Sequence, residues 1–418
     1  MSQKLSSKVA QATSGPNSFG GMLCTARRAW WAVASIAVGT FALVTTEFLP
    51  VGLLSDIAGD MKVSTGTTGL MVTIPGLVAA VAAPFLTVVA GRSDRRVVLL
   101  ALTVMLITSN FIVALAPSFS VLLLGRFFLG IGVGGFWTFA VGVGRQLVRE
   151  QSRGRATAII LAGISVGTVC GVPAGALIGG LYGWRVAFGT TGGLAVLVLL
   201  AQMVFLPAIP AKSVVRFRTL FKPLAARMAQ IGLLAMFLIF VGHFVAYTYL
   251  EPMLRQMFGL TRVLVTSLLL VYGAVGVVGT FIGEALAARS VRVALIATSL
   301  VLGVTVLSAP FFGRGPVIAS VIVSFWGLAF GAVPVGITTW MFEAVPDEPE
   351  AGQALLVSVA QIALAIGSLL GGFVVDRFGI SSALILGGAL VLGATITVAV
   401  PNLPMKSQRL QQAPPGSD

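Results

Sequence analysis

Long apolar stretches separated by short polar breaks run along almost the whole chain. Dividing them at charged residues and at Pro or Gly gives twelve segments, each long enough to cross about 30 Å of hydrocarbon as a helix. The pattern predicts an all-α membrane protein with twelve transmembrane helices, since membrane β-strands would be short and alternating. The predicted spans are Trp30–Leu54, Thr68–Ala90, Val97–Ala116, Phe119–Gly144, Ala156–Tyr182, Trp184–Leu206, Ala229–Met253, Leu264–Ala287, Val291–Phe312, Pro316–Ala344, Gly352–Val375 and Ser381–Val400.

The chain contains an internal repeat with a period of six spans. Residues Gly175–Gly180 of the fifth span match Gly367–Gly372 of the eleventh, and Val38–Phe41 of the first resembles Val241–Phe244 of the seventh. Two parallel six-helix halves are typical of transporters that hold substrate near the midplane. We therefore predict an N-terminal tail 1–28, a first half 29–206, a linker 207–228, a second half 229–402 and a C-terminal tail 403–418.

Composition and charge placement agree with a membrane protein. Hydrophobic residues make up 57% of the 418 residues, charged residues only 10%, and the mean hydropathy is +1.01. Twenty of the 27 Lys and Arg residues fall on the side that holds both termini, six on the other side, and Arg126 lies inside a span. The positive-inside rule places both termini in the cytoplasm. The net charge of +14 follows from this topology, so it does not indicate a nucleic-acid partner.

The fifth span carries a glycine at every fourth position, with Pro173 among them. In water each such glycine would cost roughly 1 kcal/mol relative to Ala. In a bilayer, small residues allow close approach of helix backbones. We expect the stripe to pack tightly on a partner helix at the interface between the halves, with the end positions Gly163 and Gly183 tolerating Ala. Its members are Gly163, Gly167, Gly171, Gly175, Gly179 and Gly183.

These residues carry a family resemblance that covers roughly residues 27–400. Gly167–Gly180 resembles the fifth-helix antiporter motif of the twelve-span drug–proton antiporter family within the major facilitator superfamily, and Leu124–Gly132 resembles its fourth-helix motif. The loop Gly91–Arg96 is a shortened form of that family's gating motif, so Asp94, Arg95 and Arg96 are expected to form a cytoplasmic latch. Residues 45–54 and 243–252 resemble bacterial sugar efflux transporters, and residues 134–137 and 326–336 resemble purine ribonucleoside efflux pumps.

Three ionisable residues at membrane depth are candidates for proton coupling. Counting 1.5 Å per residue, Glu47 and Arg126 both lie roughly 9 Å above the midplane. In the resembled fold their helices are neighbours, so the two charges can meet, either for coupling or as a static pair. His243 is the only histidine and lies near the centre of the seventh span, where it titrates or serves as a hydrogen-bonded structural residue.

Aromatic rings near these residues are candidates for substrate binding. They are Trp137, Tyr247, Tyr249 and Trp326, whose faces can stack on a nucleobase or a sugar. Core packing is the alternative for each ring. Glu251 is expected at the periplasmic rim, paired with Arg255.

The sequence therefore predicts a proton-driven exporter of a small polar solute, a purine ribonucleoside or a sugar, in a bacterial inner membrane. The partners expected are the substrate, protons and lipid, with a monomeric chain and no metal or other cofactor. An exporter of hydrophobic drugs and a non-transporting sensor are the alternatives. ATP is not expected as the energy source, because no P-loop is present. An enzyme is not expected, because the sequence offers no paired catalytic residues at one depth, and the matches to a nucleophile elbow and a dinucleotide fingerprint lie inside membrane spans.

Overall fold

The computed structural model describes residues 17–90, 93–210, 223–312, 314–346 and 349–399. In these residues twelve helices are long and apolar enough to cross a membrane, and no strand occurs. Helices satisfy every backbone hydrogen bond within the segment, which hydrocarbon requires. The long helices are Asn17–Phe48, Leu70–Val89, Arg95–Ala114, Phe119–Leu147, Arg153–Val166 continued by Val172–Tyr182, Trp184–Phe205, Arg227–Tyr247, Arg262–Arg289, Val291–Ser308, Pro316–Ala344, Pro349–Phe378 and Ile380–Ala399.

Each predicted span overlaps one of these helices, but several helices end earlier than predicted, the first and the seventh by the largest margin. The first stops at Phe48 and continues as the 3-10 turn Leu49–Gly52, because Pro50 has no N–H to donate. The seventh ends at Tyr247, and the chain then forms the short helix Leu250–Pro252 and the π-helical turn Met253–Met257. Shorter helices Leu54–Met61 and Thr65–Thr68 connect the first two spans.

The chain divides into two compact units. The first contains the described residues before 211 together with Tyr249–Gly273, and the second contains residues 223–248 and the described residues from Ala274 onwards. These units differ from the predicted halves by the segment Tyr249–Gly273, which packs with the first six spans. The six-helix halves themselves remain a prediction.

Within the first unit the fourth span packs on the second and third, and the first span packs on the fifth and sixth. Buried apolar side chains such as Ile36, Leu106 and Val133 fill the space between these helices. A second apolar cluster, which includes Leu49, forms where the short helix Leu54–Met61 meets the sixth span. Polar residues of the first unit at membrane depth therefore lie inside a closely packed helical bundle.

The second unit repeats the neighbour pairs of the first, six spans later. Its seventh span packs on the eleventh and twelfth, and its ninth packs on the tenth and twelfth. The matching pairs in the first unit are the first with the fifth and sixth, and the third with the fourth and sixth. Met236, Leu295 and Trp340 are central to the apolar core. This equivalence is the structural counterpart of the sequence repeat.

Candidate functional site

The glycine stripe of the fifth span lies along the first span in a constant register. A Cβ added at each of five glycines would meet the residue numbered 126 lower, for example Phe41 for Gly167. The fifth span therefore runs parallel to the first helix and to the turn that follows it, in constant register. Gly163, Gly167, Gly171, Gly175 and Gly179 lie against Ala37, Phe41, Thr45, Leu49 and Leu53. The expected partner helix is thus the first span of the same unit, and the expectation of an interface between the halves is wrong.

Close approach of the two backbones explains the glycines, but it does not agree with the expectation that Gly163 and Gly183 tolerate Ala. A Cβ at Gly179 would lie 2.6 Å from Leu53 Cδ2, and one at Gly171 would overlap Thr45 Oγ1. At Gly163 it would meet the carbonyl oxygen of Ala37, which is backbone and cannot rotate away. Gly183 has open space but φ of 91°, a conformation that favours glycine. The prediction that both end positions accept Ala is therefore wrong.

A π-helical turn interrupts the fifth span within the antiporter-like motif. The turn covers Gly167–Gly171, and the N–H of Val172 donates to the carbonyl of Gly167. Pro173 follows directly, is buried and has no N–H of its own. Against this turn lies Thr45, whose buried hydroxyl has no hydrogen-bond partner among the described residues. π-turns of this kind often occur at functional sites.

Arg126 is fully buried, and its guanidinium supplies hydrogen bonds that two prolines cannot. Its Nε donates to the Met71 carbonyl at 2.6 Å, and its Nη1 donates to the Thr46 carbonyl at 2.8 Å. In a regular helix the N–H groups of residues 75 and 50 would bond these carbonyls, but both residues are proline. Arg126 therefore ties the second and first spans to the fourth.

Glu47 adjoins this arginine, as the sequence suggested. It is 3% exposed, its carbonyl accepts from Arg126 Nη2 at 2.9 Å, and the two residues also interact electrostatically. Asn110 Nδ2 donates a hydrogen bond to the hydroxyl oxygen of the preceding residue, Thr46, at 3.1 Å. The buried Glu47 carboxyl thus lies where hydrogen bonds of Asn110 and Arg126 join the third and fourth spans to the first.

His243 lies in an aromatic cluster of the second unit and is fully buried. Its ring is stacked on those of Phe330 and Tyr247, with distances between ring centroids of 3.5 and 4.9 Å. The indole Nε1 of Trp326 donates to His243 Nδ1 at 3.1 Å. Because an indole N–H only donates, Nδ1 is the acceptor and the neutral ring carries its proton on Nε2. That Nε2 is buried and has no partner in the described part of the chain.

The other two predicted aromatic residues, Trp137 and Tyr249, lie in the first unit. Trp137 is half-buried and lines a small cavity together with Thr40 and Phe136. Tyr249 is buried, and its hydroxyl donates to the Gly66 carbonyl at 3.3 Å. Tyr247 and Trp326 both contact the His243 ring within the second unit.

The predicted latch residues join the start of the third span to the chain after the sixth. Asp94 caps the third span through the N–H of Arg96 at 2.8 Å, and the same oxygen accepts from the N–H of Ile209 at 2.9 Å. The side chain of Arg96 donates to the Met203 carbonyl at 2.7 Å, and Arg95 lies over the ring of Phe139. Residues 91 and 92 of the motif lie outside the described residues.

Several polar and aromatic residues at these sites were missed from the sequence. Phe330 follows Trp326 by four residues on the same helical face, a spacing that could have revealed it. Asn110 and Gln202 are amides buried in apolar spans, and Gln202 accepts from the Thr103 hydroxyl at 2.8 Å. Polar residues at membrane depth are a general functional signal that would have found both.

Comparison with known proteins decides the family. The sequence profile described as Major Facilitator Superfamily matches residues 36–355, more than half of the chain. The chain belongs to the Major Facilitator Superfamily. It is therefore a multi-pass membrane transporter and not an enzyme.

Curated relatives resemble this superfamily member over nearly its whole length. It is 34% identical over 374 residues to the purine ribonucleoside efflux pump NepI of Salmonella paratyphi B, covering 90% of this chain and 94% of that protein. The same values hold for the pump of the same name from Salmonella enteritidis PT4.

Solved structures support the major facilitator fold. A bacterial homologue of the human lysosomal transporter Spinster aligns with a TM-score of 0.69 at 17% identity, over 89% of this chain and 94% of that one. The human organic anion transporter MFSD10 aligns with a TM-score of 0.62 at 18% identity, over 89% of this chain and 99% of that one. At these identities the likeness concerns the fold alone.

Proposed function

We propose that this transporter exports purine ribonucleosides from the cytoplasm in exchange for protons. The observation that carries the substrate class is the 34% identity to purine ribonucleoside efflux pumps over 90% of the chain. The proposal takes the chain as a monomer in a bacterial inner membrane. It places both termini in the cytoplasm, in line with the distribution of Lys and Arg.

The aromatic cluster around His243 is the proposed site of base recognition. Phe330 and Tyr247 stack on the imidazole, so a planar purine would stack on their outer faces, while Trp326 holds the imidazole in one tautomer. The His243 Nε2–H is a buried donor, and leaving such a group unpaired costs about 1–3 kcal/mol. A purine offers N7 and, in hypoxanthine and guanine, O6 as acceptors for this donor. His243 then serves as a neutral hydrogen-bond donor to the substrate and not as a proton carrier.

Glu47 is the proposed proton carrier. It is a buried carboxyl inside a membrane span, a position in which ionisable residues commonly serve proton relays. Its neighbour Arg126 is held by three backbone carbonyls, so the guanidinium stays in place whether or not Glu47 carries a proton. Protonation of Glu47 removes its charge, and loss of that proton restores it, which provides two states for exchange.

Transport by purified protein in liposomes tests this function. Liposomes loaded with unlabelled inosine should take up labelled inosine by counterflow, with competition by guanosine and adenosine and little by uridine or glucose. Without internal inosine, an acidic lumen should drive accumulation, because protons leave as substrate enters. Counterflow of a sugar or a hydrophobic cation in place of inosine would refute the substrate class. Inosine counterflow that no pH gradient can drive would refute proton coupling alone.

A further inference from the structure

Two arginines from different helices bond the C-terminal end of the sixth span. Arg28 of the first span donates from Nη2 to the Val204 carbonyl at 2.9 Å, and Arg96 of the third donates from Nη2 to the Met203 carbonyl at 2.7 Å. The last carbonyls of a helix lack intrahelical partners and carry partial negative charge, so guanidiniums are favoured there. Since consecutive Cα atoms are about 3.8 Å apart, the two Nη2 atoms lie within about 10 Å of each other.

These bonds use only a small part of the hydrogen-bonding capacity of the two guanidiniums. A guanidinium carries several N–H donors, and in the described part of the chain each of these side chains makes a single hydrogen bond. Arg28 is exposed. Arg96 is half-buried, and its Nε is buried without a partner among the described residues. Two positively charged groups with spare donors therefore meet at one helix end.

The side chains around this end leave an excess of positive charge. Arg27 and Arg95 adjoin the two arginines in the sequence. Along the described residues of the first, third and sixth spans and their caps, the carboxyls are Glu47, at the far end of the first span, and Asp94. One oxygen of Asp94 already accepts from two backbone N–H groups. A ligand bound here is therefore expected to carry net negative charge.

An exposed apolar face leads along the sixth span to the same arginines. Leu197, Leu200 and Val204 are each more than half exposed and, at spacings of three and four residues, lie on one face of the helix. The Trp31 ring, also about half exposed, stacks on Phe205 with ring centroids 5.9 Å apart. Tryptophan is typical of the boundary between hydrocarbon and headgroups. This arrangement suits an acyl chain on the leucines and its headgroup at the arginines.

The second unit offers an internal comparison. There Arg292 of the ninth span bonds the end of the twelfth by itself, with Nε to the Val398 carbonyl at 3.1 Å and Nη2 to the Ala399 carbonyl at 2.7 Å. Arg292 and Arg96 hold the same position, two residues after the N-cap of their helices. No side chain of the seventh span joins Arg292 there among the described residues. One arginine is thus enough to bond a helix end, and Arg28 is an addition of the first unit.

We propose that Arg28 and Arg96 bind the phosphate of an anionic phospholipid such as phosphatidylglycerol, with an acyl chain along Leu197, Leu200 and Val204. Guanidinium donors match phosphate oxygens in charge and geometry, and basic groups between membrane helices bind anionic headgroups. A zwitterionic lipid would add its own cation to an end that is already positive. The bound lipid ties the first and third spans to the end of the sixth. The site lies within the first unit and does not depend on the transported substrate.

Quenching of Trp31 fluorescence by brominated lipid tests the site directly. The protein is reconstituted in phosphatidylcholine liposomes that contain a minor fraction of brominated phosphatidylglycerol or, for comparison, the same fraction of brominated phosphatidylcholine. The difference in signal between the parent and Trp31→Phe isolates the emission of this residue. Brominated phosphatidylglycerol should quench it several-fold more strongly, because each arginine near the membrane surface contributes about fivefold in affinity for anionic lipid.

Charge variants locate the binding at the two arginines. Arg28→Gln and Arg96→Gln should each lower the affinity for phosphatidylglycerol about fivefold, whereas Arg28→Lys keeps the charge and should retain most of it. Arg292→Gln is the matched control, since it also removes bonds to a helix end, and it should leave the quenching of Trp31 unchanged. Excess quenching that survives both glutamine substitutions together would arise from general attraction to a basic protein and would overturn the site.

The parent protein alone can refute the proposal, even if a variant fails to fold. Equal quenching of Trp31 by the two brominated lipids would show that anionic lipid is not enriched at this helix end. Added inorganic phosphate should leave the excess quenching in place at the same ionic strength. If it removes the excess, the arginines hold a free anion in preference to a lipid, and the proposal fails.

Discussion

Replacing Arg126 tests whether its main role is to bond carbonyls freed by proline. Arg126→Met puts an apolar side chain of similar length in place of the arginine and removes three hydrogen bonds, to the carbonyls of residues 71, 46 and 47. If each hydrogen bond contributes the ~0.6 kcal/mol average found between membrane helices, the free energy of unfolding falls by about 2 kcal/mol. At ~1.5 kcal/mol, the lower value for bonds to charged groups, the loss is about 5 kcal/mol.

The prolines provide the decisive comparison. In a Pro50→Ala, Pro75→Ala background the new N–H groups can bond the Thr46 and Met71 carbonyls, two of the three that Arg126 bonds. Arg126→Met should therefore lower the free energy of unfolding by roughly 1–3 kcal/mol less in this background than in the parent. Equilibrium unfolding in mixed micelles of sodium dodecyl sulfate and a mild detergent measures the four free energies of this cycle. Arg153→Met is the control, since Arg153 forms an exposed pair with Glu150 that should contribute less than ~1 kcal/mol. Equal costs in both backgrounds would refute the reasoning.

Three other changes test neighbouring features. Glu47→Gln should abolish pH-driven inosine accumulation while counterflow and folding persist, and equal pH-driven transport by this variant would remove Glu47 as the proton carrier. Gly163→Ala should destabilise the protein by ~1–3 kcal/mol, because the new Cβ would contact the Ala37 carbonyl. Gly189→Ala is the control in the sixth span, where the space is open, and should be neutral or stabilise by up to ~1 kcal/mol. The same unfolding assay compares the two variants, and similar effects would contradict the packing argument. Trp326→Phe should leave His243 Nδ1 without its donor and weaken inosine binding in calorimetry several-fold more than Trp340→Phe does, and equal losses would argue against the tautomer assignment.

Apolar length and the four-residue glycine period were sufficient to predict the spans and one helix contact. Both are local patterns, and the membrane makes helix formation almost obligatory for each apolar run. The identity of the partner helix was not readable in the same way. Thr45 and Leu49 are ordinary helix residues, and only their position opposite Gly171 and Gly175 makes them part of the contact.

The contacts of Arg126 show why site geometry is harder to predict. The sequence placed Arg126 and Glu47 at one depth, and the structure does bring the two residues together. It could not show that Pro50 and Pro75 free carbonyls beside the same guanidinium, because this depends on how three helices are rotated about their axes. Tyr249 illustrates the same limit, since the seventh helix ends at Tyr247 and the Tyr249 hydroxyl bonds the Gly66 carbonyl of the first unit.

The segment Tyr249–Gly273 has a consequence for how the polypeptide is threaded. The chain passes from one compact unit to the other three times, in the linker, after Thr248 and again after Gly273. The first unit is therefore built from two separate stretches of the chain. If the backbone were cut in the linker, the C-terminal fragment would still carry the segment Tyr249–Gly273, which belongs to the first unit. In the intact chain Ser55 bonds Glu251 at 2.7 Å and Arg262 bonds the Gly180 carbonyl at 3.0 Å, so we expect these contacts to hold the two fragments together.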